Sequence, residues 1–134
     1  MSEYVADTHS LYWHLTADLR LSPTARQIFL DADAGFHRVF VPGIALIEMI
    51  YLVERGRLAP EPVERLLTFL DTPHGSYTVA QLTQDTARAL RHVPRSAVPD
   101  MPDRIIAASA RQLALPLITR DAQITAAAIV ATVW

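Results

Sequence analysis

Short apolar segments of β type alternate along this chain with segments in which apolar residues recur at helical spacing. The β-type segments are residues 4–6, 39–41, 77–80, 115–119 and 129–134. Strands that alternate with helices pair in parallel through right-handed crossovers, which place helices on both faces of the sheet. The alternation therefore predicts an α/β fold with a central, mainly parallel sheet, in which residues 77–80 form a brief edge strand.

Capping residues and helix breakers mark the ends of the predicted helices. Ser22 is an N-cap followed by a proline at the first helical position, and Gly35 is placed to end that helix. Gly56 closes a helix over residues 44–55, and Asp100 opens another one. Further helices are predicted over residues 9–17, 63–70 and 84–92. A chain of 134 residues has room for one such unit, so we expect a single domain over residues 1–134.

The charge and cysteine content excludes several classes of function. The sequence is 51% hydrophobic and 19% charged, has no cysteine and carries a net charge of −2. It predicts a compact domain without disulfides, a thiolate zinc site or a cysteine nucleophile, and without the bulk positive charge typical of nucleic-acid binding. All 12 basic residues are arginines, which excludes phosphate loops and Schiff bases that depend on lysine.

No segment of the sequence is suited to a membrane. The longest apolar stretch covers residues 44–53, is interrupted by Glu48 and falls far short of the roughly 20 residues that a spanning helix needs. The first residues lack a basic segment followed by an apolar one, so a signal peptide is not indicated. We therefore expect a cytoplasmic protein that does not contact a membrane.

Four acidic residues fall where a parallel sheet of this kind places its ligands. Asp7 and Asp121 follow predicted strands, Glu48 interrupts the most apolar predicted helix, and Asp103 lies in the first turn of another helix. Each has a structural interpretation as well. Asp7, Asp100 and Asp121 are good helix or turn caps, Asp103 suits the positive end of a helix dipole, and Glu48 can face solvent or pair with an arginine.

Convergence of the four acids would require a cation. Carboxylates about 5 Å apart repel by roughly 3 kcal/mol per pair at an effective dielectric constant of 20, so stability alone would not gather them. An oxygen-rich site without cysteine suits Mg²⁺ or Mn²⁺, and such ions activate water against phosphodiesters. We therefore expect Asp7, Glu48, Asp103 and Asp121 to be both metal ligands and catalytic residues, supported by Thr8, Asp100 and Thr119. A local turn or cap hydrogen bond is the alternative for the two threonines.

The order of these motifs resembles PIN-domain ribonucleases of the VapC toxin type over nearly the whole chain. Residues 5–13 (VADTHSLYW) are similar to the opening strand and helix of that family, and residues 21–26 (LSPTAR) to the segment that follows. Residues 44–48 (IALIE), 100–108 (DMPDRIIAA) and 117–121 (LITRD) resemble the segments that carry its other acids. Pro42, Ala45 and the Met101-Pro102 order depart from the usual pattern, which affects the surroundings of the acids.

The resemblance implies a three-layer α/β/α sandwich and metal-dependent endonucleolytic cleavage of RNA. It also implies a toxin that inhibits growth of its host, is neutralised by a small cognate antitoxin and commonly forms a homodimer. Arg104 and Arg120 flank two of the acids and are candidates for binding RNA phosphates, with carboxylate pairing as the alternative. Arg88, Arg91, His92 and Arg95 form a basic cluster that suits either RNA or a solvated helix face. Tyr12 and Trp13 are expected in the core or in contact with the antitoxin.

Two other functions are compatible with parts of the pattern. One is a binding or assembly module that keeps this fold and its acids but has little nuclease activity and acts through a protein partner. The other is a phosphoacceptor domain of the receiver type, which also clusters acids on an α/β sheet. The absence of lysine argues against the receiver type, and the presence of all four acids argues against the binding module.

Overall fold

A computed structural model describes residues 2–134. Five strands and seven helices alternate along them. The strands are β1 (Ser2–Ala6), β2 (His37–Pro42), β3 (Tyr77–Ala80), β4 (Leu117–Ile118) and β5 (Thr132–Val133). The helices are α1 (Thr8–Leu15), α2 (Pro23–Asp33), α3 (Gly43–Glu54), α4 (Pro60–Leu70), α5 (Gln84–Leu90), α6 (Met101–Leu113) and α7 (Ala122–Ala127).

The strands form one sheet in the order β3-β2-β1-β4-β5, and every neighbouring pair is parallel. Val5 on β1 pairs with Phe40 on one side and Leu117 on the other, which places β1 at the centre. The chain adds β2 and β3 on one side of β1, then returns to add β4 and β5 on the other. This reversal creates a crevice at the carboxyl ends of β1 and β4, where ligands bind in open α/β sheets. The predicted α/β sandwich is confirmed.

The core lies between the sheet and the helices. The central strands are apolar on both faces, because Val5, Ala6, Val39, Val41 and Leu117 are all fully buried. This double burial is typical of parallel sheets covered on both sides. The helices contribute the largest buried side chains to the same cluster, namely Leu11, Phe29, Met49, Leu66 and Ile106.

Most predicted helix ends are confirmed by their caps. The Ser22 hydroxyl accepts a hydrogen bond from the Ala25 amide at 3.1 Å, and Asp100 does the same for Asp103. Gly35 and Gly56 follow the ends of α2 and α3 with positive φ angles of 87° and 72°, a conformation that favours glycine.

Several predicted elements differ in extent, and one helix was missed. The helix predicted over residues 9–17 covers Thr8–Leu15, and the helix predicted over 63–70 begins at Pro60. The segment 115–119 contributes only Leu117–Ile118 to the sheet, and 129–134 contributes only Thr132–Val133. The predicted helix 84–92 ends at Leu90. Helix α7 was not predicted, because its six residues contain a single buried apolar side chain, Ile124, and therefore no apolar stripe.

Candidate active site

Five acidic side chains line one cavity of about 560 Å³ at the carboxyl ends of β1 and β4. They come from four parts of the chain. Asp7 follows β1 directly, Asp121 follows β4 after two residues, Glu48 lies on α3, and Asp100 and Asp103 lie at the start of α6. The predicted gathering of separate acids at one edge of the sheet is therefore present in the structure.

Three of these acids are also helix caps. Asp7 Oδ1 accepts a hydrogen bond from the Ser10 amide at 2.9 Å, and Asp121 Oδ1 accepts one from the Ile124 amide at the same distance. Asp100 caps α6 through the Asp103 amide at 3.1 Å. Capping uses one carboxylate oxygen and the positive end of a helix, which holds each side chain in place. The capping interpretation and the site interpretation are therefore compatible.

Two threonine hydroxyls orient two of the acids. The buried Thr8 hydroxyl donates to Glu48 Oε1 at 2.5 Å, joining α1 to α3. The buried Thr119 hydroxyl donates to Asp7 Oδ2 at 2.6 Å and accepts from the Asp121 amide at 3.0 Å. Thr119 thus connects the acid after β1 to the acid after β4. Both threonines make side-chain contacts to predicted site acids, across 40 and 112 residues of sequence respectively.

The cavity acids perturb one another. Burial raises the pKa of Asp103 to about 7, and the charges of Asp100, Asp121, Glu48 and Asp7 add to the effect. Among residues 2–134, no arginine or histidine forms an ion pair with any of the five cavity carboxylates. The negative charge at this edge of the sheet is therefore not neutralised by the part of the chain that the structure describes.

The acids share a cavity but do not form a closed chelating group. Within the described residues, no three Asp, Glu or His side chains are close enough together to hold a metal ion between them. Mg²⁺ usually keeps several of its waters and binds proteins through only one or two carboxylates directly. The unneutralised oxygen donors and the absence of cysteine fit a hydrated Mg²⁺ or Mn²⁺ ion, with some acids binding through water.

The cavity also has a basic, aromatic wall, formed by His9, Trp13, Arg20 and Arg120. The Arg120 guanidinium lies 4.6 Å from the centroid of the Trp13 ring, and that of Arg20 lies 5.0 Å from it. The sequence analysis predicted a role for Arg120 but missed His9 and Arg20. His9 and Trp13 are spaced i, i+4 on α1 directly after Asp7, a spacing that places them on one helix face and was a usable signal.

The other predicted basic residues lie elsewhere. Arg104 does not line the cavity, because its side chain donates to the carbonyl oxygens of Leu90 and Val93 at 3.4 and 2.9 Å. It thereby attaches the turn after α5 to the first turn of α6. In the basic cluster, Arg88 pairs with Asp85 at 2.6 Å, and the side chains of Arg91, His92 and Arg95 are exposed.

The two aromatic residues that were expected in the core or at the antitoxin are both shielded from solvent, one of them only in part. Trp13 is only 6% exposed and belongs to the core. Tyr12 is half-buried, and its hydroxyl oxygen accepts a hydrogen bond from the Ala59 amide at 2.9 Å.

Between residues 2 and 134, no helix is long and apolar enough to cross a membrane.

A parallel α/β sheet with an acidic crevice where the strand order reverses defines the class of this domain. Comparison with known families shows to which family of that class the chain belongs. Residues 4–130 match the PIN domain. Because this match covers nearly all of the chain, the protein belongs to the PIN domain family. No curated protein matches the sequence.

Solved structures with the same fold include toxin–antitoxin complexes. The chain is similar to one in DNA-bound VapBC from Salmonella typhimurium, with a TM-score of 0.72, 17% identity, and coverage of 99% of this chain and 98% of that chain. VapBC2 from Rickettsia felis, bound to a promoter DNA fragment, gives a TM-score of 0.71 at 13% identity and covers 98% and 97%. VapBC-5 from Mycobacterium tuberculosis gives 0.63 at 22% identity and covers 99% and 98%. These similarities establish the fold.

Proposed function

We propose that this PIN domain is a Mg²⁺- or Mn²⁺-dependent endoribonuclease and the toxin of a VapC-type toxin–antitoxin pair. The proposal rests on the cavity at the carboxyl ends of β1 and β4, which five carboxylates line and in which none of them forms an ion pair among the described residues. A fold gains no stability from such a group, so the group is best explained by a bound cation and a reaction.

Asp7, Glu48, Asp103 and Asp121 are the residues that would hold the metal, directly or through water. A divalent ion bound there would make a coordinated water more acidic, and would so supply the activated nucleophile that phosphodiester hydrolysis needs at neutral pH. The hydrolysis adds one water across the phosphodiester: a new P–O bond forms, the bond to the leaving oxygen breaks, and that oxygen takes up a proton.

The chain's own residues would prepare this reaction by fixing the acids in place. Thr119 holds Asp7 and the backbone of Asp121 together, and Thr8 holds Glu48 against α1. Asp103 is the acid whose protonation changes near neutral pH, because its pKa is raised to about 7. A cation bound beside it would favour the ionised carboxylate, so that Asp103 would join the other acids as a ligand.

The partners in this proposal are RNA as substrate and a small antitoxin that covers the cavity. The proposed location is the cytoplasm, and a homodimer is the proposed assembly. The toxin–antitoxin structures with the same fold support an antitoxin partner, since several chains that share this fold come from such complexes. A single domain over residues 1–134 is part of the same proposal.

The second candidate is the binding module with little nuclease activity. It is favoured by the separation of the acids, no three of which, within residues 2–134, are close enough to hold a metal ion together. In that function the cavity binds a cationic segment of a partner protein, and RNA is left intact.

Induced expression in a bacterial host without the antitoxin separates the two candidates. The nuclease proposal predicts growth arrest and fragmented RNA with the wild-type chain, and normal growth with Glu48→Gln at equal protein level. Glu64→Gln is the matched control, because Glu64 is an exposed helical glutamate outside the cavity, and it should remain toxic. Arrest by Glu48→Gln, or normal growth with the wild-type chain, would contradict the proposal.

A further inference from the structure

Two guanidinium groups in the cavity face the same aromatic ring. Arg20 and Arg120, here called the arginine pair, both line the cavity that holds the acids. Their guanidinium carbons lie 5.0 and 4.6 Å from the centroid of the Trp13 ring, within the range of cation–π contact. Two positive charges therefore lie against one aromatic ring in the lining of an acidic cavity.

Trp13 acts as a support for these charges. Its side chain is only 6% exposed, so the ring has little free surface on which an RNA base could stack. It also contacts Trp134 edge to face at 6.0 Å between centroids, which fixes the ring in the core. A rigid ring under a guanidinium limits the conformations that the arginine can adopt, and thereby reduces the ordering cost when a ligand binds.

The arginine pair is not used to neutralise the cavity acids. Among residues 2–134, the Arg120 side chain makes no ion pair and no hydrogen bond, although Asp121 is adjacent in sequence. Arg20 pairs instead with Asp18, which lies outside the cavity lining, at 2.8 and 3.1 Å. The hydrogen bond from Arg20 lowers the pKa of Asp18 to about 2, so this anchor persists at every physiological pH.

The cavity thus keeps unneutralised acids and positive guanidinium groups apart. A ligand that satisfies both must present anionic groups to the arginines and be compatible with a cation at the acids. A chain of phosphodiesters with an associated divalent ion has both properties, and the planar guanidinium fork matches phosphate oxygens. A carboxylate-rich peptide would satisfy the arginines alone and be repelled by the five acids.

We propose that the arginine pair, supported by Trp13, binds the phosphates of single-stranded RNA next to the bond that is cut. This inference rests on the proposed nuclease function and assigns the part of the cavity that positions the substrate. Trp13 is a positioning residue in this arrangement, because it acts through the two arginines. Arg120 contributes more than Arg20, since Arg20 already shares its charge with Asp18.

The test is steady-state cleavage of a short, mixed-sequence, fluorescein-labelled single-stranded RNA at several NaCl concentrations. Arg120→Ala and Arg20→Ala are compared with Arg57→Ala, a matched control whose arginine is exposed and outside the cavity. Loss of a phosphate contact should raise KM about 5- to 20-fold with little change in kcat. It should also make the dependence of log KM on log salt shallower by about 0.7 for each arginine removed.

Conservative variants separate charge from structure. Arg120→Lys keeps the positive charge and should recover most of the salt dependence but only part of the affinity, because the planar fork is lost. Trp13→Phe keeps an aromatic face and should give an effect between wild type and Arg120→Ala. KM values and salt slopes of the arginine variants equal to those of Arg57→Ala would overturn the inference while leaving the nuclease function intact.

The remaining outcomes are also decisive. If the wild-type chain leaves the RNA uncut, the nuclease proposal fails, and fluorescence anisotropy of the same uncut RNA then gives Kd in place of KM. Altered salt slopes in the arginine variants would still support the arginine pair as a phosphate site. If polyglutamate competes with the RNA for the wild-type protein but the slopes are unchanged in the variants, the pair does not bind phosphate, and the inference is overturned.

Discussion

Asp103→Asn should stabilise the metal-free domain at neutral and alkaline pH. The substitution removes one negative charge from a cavity that four other carboxylates line, and it keeps the size of the side chain. The Asp103 side chain makes no hydrogen bond among the described residues, and its backbone amide keeps its bond to Asp100, so an asparagine at this position breaks no hydrogen bond of the structure. The variant therefore removes both costs of the ionised Asp103 carboxylate, its burial and its repulsion by the neighbouring acids.

The magnitude follows from the pKa of Asp103, which is raised from 3.8 to about 7. At about 1.4 kcal/mol per pH unit, the shift corresponds to an upper limit of about 4 kcal/mol. The cavity is open to solvent and salt, which screen the charges, so we expect on the order of 1–2 kcal/mol. For a domain of this size, that gain raises Tm by about 4–8 °C.

The sign of the pH dependence is fixed by the direction of the shift. Because the folded-state pKa lies above the unfolded-state value, the folded protein binds more protons between the two, and its stability falls as pH rises from about 4 to about 7. Above that window, the loss is complete. The variant has no carboxyl group at position 103 and escapes this loss, so its advantage should be absent near pH 4 and largest above pH 7.

The assay is thermal unfolding followed by circular dichroism in EDTA, at a series of pH values from 4 to 8. Asp71→Asn is the matched control, because Asp71 is an exposed aspartate at the end of α4 and outside the cavity. The control should match the wild-type protein across the range. A variant no more stable than the wild type at pH 8, or an advantage independent of pH, would refute the inference that burial and neighbouring charges destabilise the ionised Asp103.

Three further predictions concern the metal, one hydroxyl and the opposite edge of the sheet. Mg²⁺ at a hundredfold excess over its Kd should stabilise the wild-type domain by about 2.7 kcal/mol, and EDTA should reverse the shift; no shift with Mg²⁺ or Mn²⁺ contradicts a metal site. Thr119→Val should weaken Mg²⁺ binding in calorimetry about 10-fold, because Asp7 loses its hydroxyl donor; unchanged affinity would exclude this orienting role. Tyr77→Phe should lower the free energy of unfolding in urea by about 1–2 kcal/mol, since the buried hydroxyl donates to Asp33 at 2.6 Å; a loss near zero would contradict that contribution.

The sequence predicts the acids better than the basic residues, and the reason is physical. Asp7 directly follows β1 and Asp121 follows β4 after two residues. Because the carboxyl ends of adjacent parallel strands lie side by side, the proximity of these two acids follows from topology. Arg104 directly follows Asp103 and Arg120 directly precedes Asp121, yet only Arg120 lines the cavity. The Arg104 side chain instead reaches carbonyl groups in the turn after α5, a contact between distant segments that no local pattern encodes.

Local pattern also limits what can be predicted of the elements. Helix α7 has one buried apolar residue, Ile124, and is held by its cap, since Asp121 accepts from the Ile124 amide at 2.9 Å. Strand β4 is short, although the backbone pairing continues beyond it: the Thr119 amide donates to the Val133 carbonyl at 3.2 Å. Arg20 was missed because its place in the cavity depends on a turn anchored by Asp18, whose amide donates to the Trp13 carbonyl at 2.8 Å.

We propose above all that the acidic cavity cuts RNA with the help of a divalent cation. The most direct measurement is cleavage of a mixed RNA pool by the purified chain without a partner, in Mg²⁺, in Mn²⁺ and in EDTA, beside Asp7→Asn and the control Asp71→Asn. The account predicts cleavage by the wild type and Asp71→Asn with either ion, none in EDTA, and at least a 100-fold loss in Asp7→Asn. Cleavage that persists in EDTA or in Asp7→Asn, or a folded wild-type protein that leaves the pool intact in both metals, would contradict it.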